Sequence, residues 1–175
     1  MSQHIANAPG AVVVETSRLL VRQLTPDDAE FLLGLFNEPS FLANIGDRGI
    51  RSVDDARRFI IDVPMASYAK HGHGHYRVEL KDGTVIGTCG LIRRDYIGET
   101  DVGFAYLPAY WGQGYAYEAA AAVMEFGRSM LGLQRIVAVV SPHNTPSIRL
   151  LEKLGLHYAG PTQLAPDAPT IHLYA

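Results

Sequence analysis

The sequence predicts an α/β (α+β) domain on one mixed, mostly antiparallel sheet, with about six to seven strands and about four helices. Three observations predict it. Three strand-like segments follow one another between residues 76 and 107, the first two joined by Asp82-Gly83, a strong hairpin signal. Two strand–loop–helix units then occupy residues 101–130 and 135–154, and units of that kind connect parallel strands. The fourth and fifth strands are therefore expected to run parallel. Finally, 175 residues with 47% hydrophobic and 19% charged content suffice for one core and not for two. Residues 1–10 read as a loose terminus and 11–175 as a single domain.

Each element has a local cause. Val12–Val14 and Leu19–Val21 are apolar bursts, and the first strand is placed mainly over Leu19–Leu24. Thr25-Pro26-Asp27-Asp28 then combines a cap, a proline at the first helical position and an acidic residue completing a capping box. Phe31, Leu32, Leu35 and Phe36 give that helix its buried stripe, and Pro39 is expected to close it. Residues 40–51 read as a loop. Ser52 caps a second helix running from Val53 towards Tyr68, with a kink or break near Val63 imposed by Pro64. Tyr76–Leu80, Val85–Ile92 and Asp101–Leu107 are the second, third and fourth strands. A third helix ends near Leu131-Gly132, and the apolar run Arg135–Ser141 is a buried fifth strand. Thr145 caps a fourth helix that Gly155 stops, and Leu156–Gly160 and Thr170–Ala175 are short strands.

Composition narrows the function classes. A formal net charge of −3 with scattered basic residues gives no footprint for nucleic acid. Cys89, the single cysteine, supports neither a disulfide framework nor a zinc cluster and reads as a packed core thiol. No basic region followed by an apolar run opens the chain, and no stretch approaches the ~20 apolar residues that span a bilayer, so a cytoplasmic protein without membrane contact is expected. His71-Gly-His73-Gly-His75 alternates as some metal sites do, but no Cys, Asp or Glu adjoins it. It is read as a flexible loop with solvated or substrate-facing histidines, and no metal is expected.

The stretch that carries the chemistry is Asp101–Met130. Its strand ends at Pro108, a loop with Gly112 and Gly114 follows, and a helix with strong formers at Glu118–Ala122 comes next. A helix N-terminus presents unpartnered N–H groups and the positive end of a dipole, and glycine lets a ligand approach them closely. Two readings stay open: an anion-binding loop, with phosphate the natural ligand, or a tight turn and no more. The Walker loop is excluded because Tyr115, not Lys, follows Gly114. The dinucleotide fingerprint is excluded because Tyr117 stands where its third glycine belongs.

Gly114-Tyr115-Ala116 resembles the Gly-x-Gly/Ala half of the acyl-coenzyme A loop of the GNAT acetyltransferases. Trp111 stands where the general signature has Gln or Arg, but Tyr110-Trp-Gly-Gln-Gly-Tyr-Ala-Tyr-Glu118 resembles the RimJ/RimL-type branch. Two more matches occur in family order. Glu15-Thr-Ser-Arg18-Leu-Leu-Val-Arg22 resembles the opening of that branch. Asn144-Thr-Pro-Ser147-Ile-Arg-Leu-Leu151-Glu-Lys-Leu-Gly155-Leu resembles its second motif, with Leu156 in place of Phe.

The resemblance implies a GNAT-like fold whose fourth and fifth strands splay apart, and direct acetyl transfer from acetyl-coenzyme A, as cosubstrate, to a primary amine. It places the pyrophosphate on Gln113, Gly114, Tyr115 and Ala116, with Gly112 giving clearance. It lays the pantetheine arm against the end of the fourth strand near Tyr106, with Asn144 and Ser147 on the other side; Arg149 and Lys153 fit a solvated face equally well. The backbone of Phe104 is the candidate oxyanion donor. Ser147 or a nearby tyrosine is the candidate proton source for the leaving thiolate. An α-amine, with a pKa near 8, is more easily deprotonated than a lysine near 10.4. Asp101 is the first candidate base, with Glu99, His75 and His143 behind it; Asp101 and Glu99 read equally as ordinary surface carboxylates.

The implied acceptor is a protein N-terminal α-amine or a small-molecule amine, chosen by residues 40–51 and 70–75. A non-catalytic acyl-coenzyme A-binding module is the reading from another class. Homodimerisation through apolar strand edges is compatible with the pattern.

Overall fold

A computed structural model describes residues 8–175. Of the expected loose terminus, residues 1–7 lie outside the described residues, and a turn closes on Ala8 through the Ala11 N–H.

Alternating apolar residues build a five-stranded antiparallel sheet in the order β1 (Val12–Glu15), β2 (Leu19–Gln23), β3 (His75–Leu80), β4 (Val85–Arg94) and β5 (Glu99–Tyr106). A second sheet has the order β6 (Ala138–Val140), β8 (Ile171–Tyr174) and β7 (Tyr158–Thr162). The expected single sheet of six to seven strands is thus two sheets with eight strands among the described residues. Val12–Val14 pairs with β2 as a strand of its own instead of leading into it.

The two sheets meet at one parallel bridge. The Val102 N–H donates to Val137 O at 2.8 Å and the Val137 N–H to Thr100 O at 3.0 Å. Beyond it β5 and β6 part, so the parallel, splayed pair is present, with β6 shorter than the expected Arg135–Ser141.

The helices cover the five-stranded sheet on both faces. α5 (Tyr115–Ser129) packs Ala119, Ala120, Val123 and Met124 against Leu19, Val21, Tyr76, Val78, Cys89, Leu91 and Val102. On the other face lie α1 (Ala29–Phe36), α2 (Pro39–Asn44) and α3 (Val53–Ile60), whose core includes Leu32, Leu35, Phe36, Phe41, Ala56 and Ile60. Pro39 opens α2 instead of ending α1, since proline fits the first turn of a helix as well as the position after one. Part of the expected 40–51 loop is therefore helical.

Pro64 produces a π-helical turn over Ile61–Met65 between α3 and α4 (Ala66–His71). Proline has no N–H for the carbonyl four residues back, and a wider turn accommodates the lost bond. α6 (Thr145–Lys153) follows β6. Counting α3 to α4 as one interrupted helix gives five helices, one more than expected. Among the described residues no helix is long and apolar enough to cross a membrane.

Candidate active site

A strand's N–H and C=O groups alternate between its two neighbours. Val102 spends its N–H on β6, while the Leu107 N–H turns the other way, to Ile86 O at 3.0 Å. Phe104 and Tyr106 share the direction of Val102, and β6 has diverged by the time the chain reaches them. Their N–H groups thus face an open notch. The Tyr106 carbonyl is already engaged by the Trp111 indole N–H at 2.9 Å.

Two helix N-termini flank the notch. Gly112 and Gly114 adopt φ of 72° and 83°, conformations that exclude ordinary side chains. The N–H groups of Gln113, Gly114, Tyr115 and Ala116 donate to no acceptor among the described residues, and Gly114 is exposed. That row of free donors is compatible with an anionic ligand. The loop is braced from behind. Arg18 donates to Gln113 O at 3.0 Å, pairs through Nε with Glu118 at 2.7 Å and lies over the Tyr115 ring; Thr16 Oγ1 donates to Glu118 at 2.7 Å. Burial raises the Glu118 carboxyl, but these bonds outweigh it and hold the group below its ordinary value. Residues of the Glu15–Arg22 motif thus brace the loop. On the other side, Asn144 caps α6 through a long 3.4 Å bond from the Ser147 N–H, and both side chains line the cavity between the sheets.

That cavity, of about 420 Å³, extends from the notch to α1 and α2. Strand register decides what lines it. Ile92 pairs with Asp101, Gly90 with Gly103, and His75 with Gly90, so these residues share the sheet face opposite α5. The glycines leave the floor low: a Cβ on Gly103 would stand 2.7 Å from Ile92 Cδ1 and 3.4 Å from Asp101 Oδ1.

Asp101 is not a surface carboxylate. It is 1% exposed, its Oδ2 accepts from Arg94 Nε at 2.6 Å, and its Oδ1 is buried without a partner. Burial raises its pKa against the opposing pull of Arg94 and Arg48, which suits a group that must collect a proton. Glu99, two residues away, pairs with Arg135 at 3.1 Å and does not line the cavity.

His75 lines the cavity, and burial, with repulsion from Arg48 and Arg94, pushes its ring down to about 3. It stays neutral at physiological pH and is a weak base. His143 is exposed, its Nε2 at 3.2 Å from Ala43 O, and does not line the cavity.

The histidine run is not a flexible loop of solvated rings. His71 ends α4, Gly72 turns left-handed, and His73 is buried with Nδ1 at 2.8 Å from Leu91 O. No metal-binding cluster occurs among the described residues.

Of the sequence-predicted residues, Asp101, Phe104, Asn144 and Ser147 meet in the cavity, while Tyr106 and residues 112–116 lie outside its lining. The Tyr106 ring points into the α5 core, which leaves only its backbone facing the notch. Cys89 is a core thiol, pushed up by burial to about 12. Sequence reading missed Arg48 and Arg94. The hairpin register is the signal for Arg94, and the lone arginine between Gly46 and Gly49 is the signal for Arg48.

Comparison with known proteins shows the family and the fold. The model of the acetyltransferase (GNAT) domain matches residues 18–157. The chain is 32% identical over 150 residues to the N-acetyltransferase YoaA of Bacillus subtilis (strain 168), covering 85% of this chain and 84% of that protein. An acetyltransferase structure from Agrobacterium tumefaciens str. C58 superposes with a TM-score of 0.75 at 26% identity, covering 92% and 91% of the two chains. The ribosomal L7/L12 α-N-protein acetyltransferase RimL in complex with coenzyme A shares the fold, with a TM-score of 0.79 at 13% identity over 93% and 96%.

Proposed function

The chain belongs to the GNAT acetyltransferase family, and from that premise we propose that it acetylates a peptide-type α-amine at the notch between β5 and β6. It is an N-acetyltransferase with acetyl-coenzyme A as cosubstrate. The observation that carries the site assignment is the open edge of β5 beside four unpartnered N–H groups at the start of α5.

Bound acetyl-coenzyme A supplies an acetyl group activated as a thioester. In this reading the N–H groups of Gln113, Gly114, Tyr115 and Ala116 hold its pyrophosphate, Gly112 gives clearance, and the Tyr106 N–H pairs with the amide-rich arm. Asn144 and Ser147 close on it from α6. The Phe104 N–H polarises the acetyl carbonyl and stabilises the oxygen as negative charge develops there. Asp101 Oδ1, buried without a partner, accepts a proton from the incoming ammonium. The amine nitrogen then forms its bond to the acetyl carbon as the carbon–sulfur bond breaks. The departing thiolate takes a proton from the Ser147 hydroxyl, and water relays the second proton lost by the amine nitrogen back to that serine. The products are the N-acetyl amide and the free thiol, with one proton released through Asp101.

Two features support an α-amine of a protein or peptide. The neutral His75 and the ion-paired Asp101 make a modest base set, which suits an amine titrating near 8 better than a lysine near 10.4. The Tyr110–Glu118 string also resembles the RimJ/RimL branch. A small-molecule amine is the second reading, favoured by the limited cavity volume of about 420 Å³.

Steady-state release of coenzyme A thiol over a panel of peptides, lysine side-chain amines and small amines tests the assignment. Peptides with free N-termini are expected to have the highest kcat/KM, and acetylation of small amines alone would overturn the peptide reading. Asp101→Asn is expected to lower kcat by about 10²-fold or more and to remove the acidic limb of the pH profile, which lies above the ordinary carboxylate range. Unchanged turnover and pH profile in that variant would remove Asp101 from the mechanism.

A further inference from the structure

The acceptor half of the cavity holds more positive charge than an amine-binding site requires. An incoming ammonium is repelled by guanidinium groups, yet Arg48 and Arg94 both line this space. Arg94 is paired through Nε to Asp101. Arg48 makes no ion pair or hydrogen bond among the described residues. Its guanidinium instead lies against three aromatic rings, 5.2 Å from the centroid of Phe36, 5.7 Å from Phe41 and 5.6 Å from Phe59. Surrounding protein and the nearby Arg94 both oppose its charge, and Asp101 favours it only in part.

The loop that presents Arg48 is fixed on its outer side. Asp47 accepts from the Gly49 N–H at 2.8 Å and pairs with Arg51, which also donates to Asn37 Oδ1 at 3.2 Å. Asn37 in turn donates to Leu33 O and Ile50 O at 2.8 and 2.9 Å. Asp47, the other carboxylate lining the space, is thereby occupied by Arg51. Gly46 and Gly49, with φ of 123° and 70°, allow the turn.

A hydrogen-bonded loop that holds a guanidinium without an ion pair at the mouth of a cavity, which also holds a buried carboxylate with one unpartnered oxygen, has the charge layout of a receptor for a zwitterion. We propose that the acceptor carries an oxyanion, carboxylate or phosphoryl, near its amine, with Arg48 binding the oxyanion and Asp101 Oδ1 meeting the ammonium. Arg94 holds Asp101 and adds to the field that draws the anion in. Nearby guanidiniums also lower the pKa of the bound ammonium, which helps generate the nucleophilic amine. This inference rests on acetyl transfer occurring in this cavity.

Matched acceptors that differ only in the anion test it: alanine against alaninamide, and N-terminal peptide amides with Asp against Asn, or phosphoserine against Ser, at the second position. Initial rates at saturating acetyl-coenzyme A are read as kcat/KM. At least one charged member is expected to be preferred over its neutral partner by about tenfold or more, mostly through KM, and its identity names the source of the oxyanion. Arg48→Gln should collapse that ratio towards one, Arg48→Lys should keep part of it, and Arg48→Glu should favour a lysine at the second position. Thermal melts check that each variant is folded. Equal rates for charged and neutral members in the unaltered enzyme would overturn the oxyanion assignment and leave acetyl transfer standing. An Arg48→Gln loss equal for both members would overturn it as well. No transfer to any amine, with acetyl-coenzyme A bound, would overturn the inference together with the reading beneath it.

Discussion

Burial, with two nearby guanidiniums, keeps the His75 ring neutral, and this has a consequence for stability. An unfolded histidine takes its proton near 6.5, whereas the folded ring does so only near 3. Between those values the unfolded chain binds more protons, so stability falls as pH falls. The contribution is present in full above pH 6.5 and is lost progressively down to about 3. The buried His73, also lowered, acts in the same sense, while the raised Asp101 opposes it. His75→Asn is therefore expected to flatten the fall in Tm between pH 7 and 4; parallel curves for variant and parent would contradict the assignment. At this scale the sequence disclosed residues whose role is local. Gly112, Gly114 and Asn144 could be placed from their neighbours because a turn or a cap is made within a few residues. Arg48, Arg94 and His75 could not, because they meet only through sheet register and a loop crossing the opposite face. The burial of Asp101 was hidden for the same reason: alternation tells which face a residue occupies, not what covers that face.

The position of α5 is determined by a short segment 100 residues away. Thr16, Ser17 and Arg18 all direct hydrogen bonds to the Glu118 carboxylate in the helix's first turn. The group is partly solvated, so screening reduces the value of the pair. Glu118→Ala is expected to cost about 1–2 kcal/mol, or roughly 2–8 °C in Tm, and to weaken acetyl-coenzyme A binding several-fold by releasing Arg18 from its brace on Gln113. An unchanged melt and affinity would show the contacts to be incidental. Elements were legible where one signal acted alone, as with the Asp82-Gly83 hairpin and the Ser52 cap, whose hydroxyl accepts from the Asp55 N–H at 3.0 Å. They were ambiguous where one residue serves two ends of a helix. Pro39 could stop α1 or start α2 on local chemistry, and the packing of Phe41 beside Phe36, ring centroids 4.9 Å apart, decides for the second. Pro64 announced an interruption, but no local signal said that the chain would pass it in a π-helical turn and continue as α4.

At the scale of the molecule, the central sheet separates two kinds of interior. One face packs α5 into a dry core. The other supports a charged cavity under α1 and α2, and β5 joins them because its edge is open to the second sheet beyond Val102. Two βα units made the parallel pair of strands legible. The splay itself came only through the family resemblance, since no residue of β5 or β6 announces where pairing stops. The central claim is that acetyl-coenzyme A lies in this notch, and amide hydrogen exchange followed residue by residue by NMR tests it most directly. Addition of acetyl-coenzyme A is predicted to slow exchange at the N–H groups of Phe104, Tyr106 and Gln113 to Ala116, which lack partners without it. Saturating ligand that leaves those six amides unprotected, while protecting others, would contradict the account.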